Sequence, residues 1–122
     1  MNDLRKELDS IRTFLENNAR TGADIVAMQG DLEMVLGYAE RVASICAELT
    51  EKITINANTL LDQYIGDEGL TDFEKKTKIG SAQAGDVRLL AEFTALGRRL
   101  RDTRWVLLQA CSIRKAELLK LH

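Results

Sequence analysis

Residues 25–60 read IVAMQGDLEMVLGYAERVASICAELTEKITINANTL, and this stretch decides the fold. Ile25, Met28, Leu32, Val35, Ala39, Val42, Cys46, Leu49, Ile53, Asn56 and Leu60 recur at alternating steps of three and four. That spacing keeps every member on one side of an α-helix and makes a heptad seam, with Asn56 its one polar member. Leu36, Ile45, Ile55 and Leu61 flank the seam. A stripe widened in this way suits a helical bundle better than an isolated two-stranded coil. The β-branched run Ile53-Thr54-Ile55 lowers helix propensity locally, but a pattern sustained over about five heptads outweighs it. A helix over 24–65 is expected, about 60 Å long at ~1.5 Å per residue.

Upstream, Leu4, Leu8, Ile11 and Leu15 form one apolar stripe. They place an N-terminal helix over 3–22, weakly capped at Asn2 or Asp3 and punctuated by Asn17, Asn18, Thr21 and Gly22. Downstream, Gly66-Asp67-Glu68-Gly69 reads as a turn. Thr71 with Glu74 three residues later is a capping box, which opens a short helix over about 72–79. Gly80-Ser81 and Ala84-Gly85 then mark a break, so 66–85 reads as a turn with a short helix. Asp86 is the expected N-cap of a last helix over 86–121, whose stripe is Leu89, Phe93, Leu96, Leu100, Thr103, Leu107 and Ala110. The expected fold is all-α, with 1–122 as a single helical domain. A long antiparallel helical hairpin carries the extra N-terminal helix alongside and assembles as a homo-oligomer.

The last helix is apolar on two faces. At ~100° per residue, Trp105 projects roughly 160° away from the Leu89–Leu107 stripe. Leu90, Leu108 and Leu119 lie near its side, as do Arg98, Arg101 and Arg104. One face packs on the long second helix. The other must meet the N-terminal helix, another subunit or a ligand. So elongated a monomer offers little core for a second face, which favours an oligomer interface through Leu90, Trp105 and Leu108.

Composition removes several classes. The 122 residues suffice for one domain, and none of them is proline, so helices need not break. No apolar run approaches the ~18–20 residues of a membrane helix. Met1 to Phe14 is charged throughout and does not read as a signal peptide. Two cysteines in a chain with few aromatics do not suggest a secreted disulfide scaffold, so a reducing cytoplasm is expected, that of the host if the chain is phage-encoded. Charge is polarised: residues 1–70 hold 6 basic and 13 acidic side chains, whereas residues 71–122 hold 11 and 6. Such asymmetry fits either helices that complement each other, within or between chains, or a charged partner.

Most catalytic chemistry lacks its residues. The only histidine is His122, which removes Cys/His and Ser/His/Asp catalysis and any His-based metal site. No phosphate-binding or dinucleotide-binding glycine motif is present, and Gly66–Gly69 lacks the oxygen ligands of a calcium loop. Glu48 and Glu51 form a Glu-x-x-Glu pair of the kind that holds magnesium in all-α nucleotide pyrophosphatases. Glu92 and Asp102, ten residues apart on the following helix, cannot supply the second pair, so a solvated acidic face is expected. Cys46 on the seam and Cys111 near the last stripe read as buried, inert thiols. No enzyme activity, cofactor or metal is implied.

Two basic clusters remain. Lys75, Lys76 and Lys78 lie near the hairpin tip. Arg98, Arg99, Arg101 and Arg104 lie midway along the last helix, with Arg114 and Lys115 beyond. Cations beside an exposed aromatic suit single-stranded nucleic acid, because the cations neutralise phosphates while the ring stacks on a base. The same residues also suit ion pairing with a neighbouring helix and an interface anchored by Trp105. A low overall pI argues against non-specific duplex binding.

Leu61-Asp62-Gln63-Tyr64-Ile65-Gly66, then Phe73-Glu74-Lys75-Lys76-Thr77-Lys78, then Asp86 and a long helix ending in Ser112 to Leu118 follow one another in an order that resembles the UvsY-type recombination mediators of phages. The resemblance covers roughly residues 56–118. It implies a small oligomeric protein that binds single-stranded DNA and helps load a strand-exchange recombinase onto it. Such mediators carry Lys and Arg just before the Leu-Asp turn, where this chain has Asn58 and Leu60. Candidate DNA contacts are therefore Lys75, Lys76, Lys78, Arg98, Arg101, Arg104 and Trp105. The alternative is a helical protein-interaction module, an adaptor, scaffold or inhibitor, with Trp105 and Leu108 as its hot spot.

Overall fold

The computed structural model describes residues 2–18, 21 and 24–120, the side chain of Asn2 aside. These residues form three α-helices and no strand: α1 Asn2–Asn17, α2 Ile25–Ile65 and α3 Asp72–Lys120. Two compact units divide the chain, one of Met1–Ala43 with Ala95–His122 and one of Ser44–Thr94. Both α2 and α3 contribute to each unit, and they pack together as a helical hairpin.

In the first unit the apolar stripes of three helices meet. Leu8, Ile11 and Phe14 of α1, Met28, Val35 and Val42 of α2, and Leu96, Leu100, Leu107 and Cys111 of α3 are buried. Asp24 caps α2, its Oδ1 accepting from the Ala27 amide at 2.9 Å. The seating of α1 on α2 is set by two pairs. The Phe14 and Tyr38 rings lie 5.1 Å apart at 58°. Arg41 donates to both carboxylate oxygens of Glu7, the Nη2–Oε2 contact being 3.1 Å. A two-pronged pair of this kind fixes direction as well as distance.

In the second unit only two helices meet, and the seam is correspondingly narrow. Ile45, Leu49, Leu89 and Phe93 are buried, together with the polar Gln83 and Asp86. Gln83 Nε2 donates to the Ile53 carbonyl at 2.7 Å, and Lys52 Nζ lies 3.4 Å from Asp86 Oδ2. The connection turns at Gly66–Leu70, where Asp67 Oδ1 accepts from the Gly69 amide. The expected capping box is present: Thr71 Oγ1 accepts from the Glu74 amide at 3.1 Å, and Glu74 Oε1 accepts from the Thr71 amide at 3.4 Å.

Three expectations need correction. The break at Gly80-Ser81 and Ala84-Gly85 does not occur, because α3 is continuous from Asp72 to Lys120. Neither glycine adopts positive φ. Each costs about 1 kcal/mol relative to Ala in a helix interior. Continuing the seam through half-buried Ile79 and buried Gln83 and Asp86 offsets that cost. Asp86 is accordingly a buried seam residue and not an N-cap. Of the four residues expected to widen the α2 stripe, only Ile45 is buried; Ile55 and Leu61 stay exposed in the unit where two helices meet, and Leu36 is exposed in the first unit. The N-terminal helix ends at Asn17, the first of its punctuating residues. Gly22, Leu121 and His122 lie outside the described residues.

Candidate nucleic-acid interface

Along the α3 segment of the first unit, Arg98–Arg101, Arg101–Arg104 and Arg101–Trp105 are steps of three or four residues, and Arg104 directly precedes Trp105. That spacing makes them surface neighbours, about 5–6 Å between Cβ atoms. All four are exposed, Trp105 by 64%. No carboxylate among the described residues pairs with Arg98, Arg101 or Arg104. The opposite side of α3 carries Leu96, Leu100 and Leu107 into the core. Core packing therefore fixes the helix rotation and turns the arginines and the indole outward.

Of the three occupants open for this face, α1 is excluded within the chain. It is held on α2 by Phe14–Tyr38 and Glu7–Arg41, and Trp105 and Leu108 remain exposed. Val106, Ile113 and Leu119 are exposed as well, so the helix presents apolar surface beside its cations. Leu90 is half-buried and belongs to the other unit. Further along α3, Arg114 pairs with Glu117 at 3.0 Å, which withdraws it from the set of open cations.

The tip lysines belong to the second unit and form a separate cluster. Lys78 Nζ sits 5.8 Å from the centroid of the Tyr64 ring, a contact that ties the start of α3 to the end of α2. Lys75 is half-buried, and Lys76 is exposed. Sequence reasoning treated the three as equals; the structure gives Lys78 a structural contact as well.

Glu48 and Glu51 are exposed on α2. Among the described residues no group of three or more His, Cys, Asp or Glu is placed to hold a metal ion. Cys46 and Cys111 are free thiols in different units, and Cys46 Sγ faces Thr94 Oγ1 at 4.0 Å. Among the described residues, no helix is long and apolar enough to cross a membrane.

One feature had no reading in the sequence. A shallow open groove of about 490 Å³ lies where α1 meets α2, lined by Gly30, Met34, Gly37 and Tyr38 of α2 and Glu7 of α1. Its signal was available as two glycines one heptad apart on a helix without proline. Comparison with protein families, with curated proteins and with solved structures finds no match to this chain.

Proposed function

We propose that this protein is a non-enzymatic accessory factor that binds single-stranded DNA through the exposed face of α3 and helps load a recombinase, in the manner of the UvsY-type mediators it resembles. The observation that carries the reading is the 64% exposed Trp105 among arginines that no carboxylate of the described residues pairs with. Leaving three guanidinium groups and an indole in solvent has no evident benefit for the fold, whereas phosphates and a base satisfy both. Arg98, Arg101 and Arg104 neutralise the backbone, and Trp105 stacks. Lys75, Lys76 and Lys78 form a second, weaker contact point.

Trp105 is the only tryptophan in the chain, so its fluorescence reports the contact directly. Titration with an oligothymidylate is expected to quench it, with an affinity that falls steeply as salt rises through counterion release. Trp105→Ala is expected to abolish tight binding in an anisotropy assay while leaving helicity intact. Unchanged fluorescence at low salt would overturn the proposal.

A second reading rests on Leu108, Val106, Ile113 and Leu119, which put exposed apolar surface on the same segment of α3. On that reading the protein is a helical interaction module, with Trp105 and Leu108 the anchor and the arginines a charged rim. Loss of a protein complex in Trp105→Ala, with no response to oligonucleotide in wild type, selects it.

A further inference from the structure

We infer that the groove between α1 and α2 receives the Trp105 face of a second copy of this chain, so that self-association and nucleic acid compete for the same side chains. The competition rests on the DNA-binding reading above; the docking does not.

The argument begins with glycine. Gly30 and Gly37 lie inside α2, where glycine costs about 1 kcal/mol relative to Ala. Neither has positive φ, and a Cβ built at either meets nothing within 4 Å. The chain by itself gives no reason for them. Gly80 and Gly85 are equally open, but Gly30 and Gly37 in addition line a groove of about 490 Å³ beside Met34, itself 46% exposed, and Tyr38. A floor without side chains lets a bulky group descend to the helix backbone, and a Met and a Tyr supply adaptable apolar walls for it.

Charge then selects the occupant. The rim carries Glu33 and the Glu7–Arg41 pair, and Glu40 is exposed nearby on α2. With Glu7 held by Arg41, Glu33 is the open charge of the lining, and a large apolar group flanked by cations complements it. The first unit bears that combination on α3, as Trp105 between Arg98, Arg101 and Arg104. Trp and Arg are the residue types that most often anchor interfaces. Groove and face are different surfaces of one protomer, so the contact is head-to-tail and builds a ring or an open chain of copies. Glu33 takes the place of a phosphate, which makes the docked neighbour a competitor for DNA.

The test uses the full chain, sedimentation velocity over a range of concentrations, and an oligothymidylate as probe. Gly37→Leu fills the groove from a position where the fold has room, so it is expected to melt no lower than wild type. It is expected to weaken self-association at least about tenfold and to bind the oligothymidylate at least as tightly as wild type. Glu33→Lys, at the rim, is expected to weaken assembly in the same direction. Adding oligothymidylate to wild type is expected to dissociate it. A wild type that stays monomeric throughout, or a Gly37→Leu variant that assembles like wild type, overturns the docking. Assembly lost in Gly37→Leu while no form binds oligothymidylate upholds the docking and overturns both the competition and the DNA-binding reading. Oligothymidylate bound to intact assemblies overturns the competition alone.

Discussion

The two units use one heptad spacing to different ends. In the unit built from α1 and the outer parts of α2 and α3, every buried side chain among the described residues is apolar or Cys. In the unit of Ser44–Thr94 the seam passes through Gln83 and Asp86, and its α2 members beyond Leu49 are only half-buried. A third helix makes the difference. Where α1 closes the groove between α2 and α3, water is excluded and apolar burial is maximal. Where two helices meet alone, each seam position keeps one open flank, and polar residues bonded across the seam become tolerable. A hydrophobic period therefore states that a face will be covered and does not state how completely.

That contrast can be broken most sharply in the apolar unit. Leu100→Ala is expected to cost about 2–5 kcal/mol, read from chemical denaturation, because Leu100 is fully buried and its removal leaves a cavity. A loss near zero would show that the three-helix core is less closely packed than its burial implies. Removing the polar seam should work in the other direction. Asp86→Leu with Lys52→Met replaces the ion pair by apolar contacts, and because Lys52 is half exposed it is expected to be neutral or to raise stability by up to about 1 kcal/mol. A loss of stability would show that the pair sets the register of α2 against α3. Thr71→Ala removes the cap of α3 and is expected to cost about 1 kcal/mol, seen first as faster amide exchange in the first turn of α3. Smallest of all, Trp105→Ala should change stability by less than about 0.5 kcal/mol, since the ring packs on little within the chain, while nucleic-acid binding is lost. A large drop in melting temperature would assign Trp105 to the core.

Particular residues show where the sequence was legible. Leu8 and Ile11 of α1, Met28, Val35, Val42 and Leu49 of α2, and Leu89, Phe93, Leu96, Leu100 and Leu107 of α3 were all named from spacing and are all buried. The capping box at Thr71 and Glu74 was equally plain, since both partners lie within one turn. The sequence points to Asp86 as an N-cap because Asp before an apolar stripe is a common one. Its pairing with Lys52, 34 residues away, leaves no local trace. Gly80 and Gly85 were read as punctuation for the same reason: local preference argues for a break, and the continuation of the seam on the partner helix argues against it. For the candidate site, the sequence placed Arg98, Arg101, Arg104 and Trp105 on one side of a helix, but not which neighbour that side would meet.

The sequence by itself determined the all-α class and many of the inward residues, because the three-four alternation is a property of each segment and needs no partner to be read; it divided α3 at Gly80–Gly85, where the helix is continuous. Only the tertiary structure decided that α1 sits on α2 and leaves the Trp105 face open. That choice rests on Phe14 with Tyr38 and Glu7 with Arg41, contacts between segments whose separation in the chain follows no period. The same docking brings Glu7 of α1 to the rim of the groove that α2 lines with Gly30, Met34, Gly37 and Tyr38.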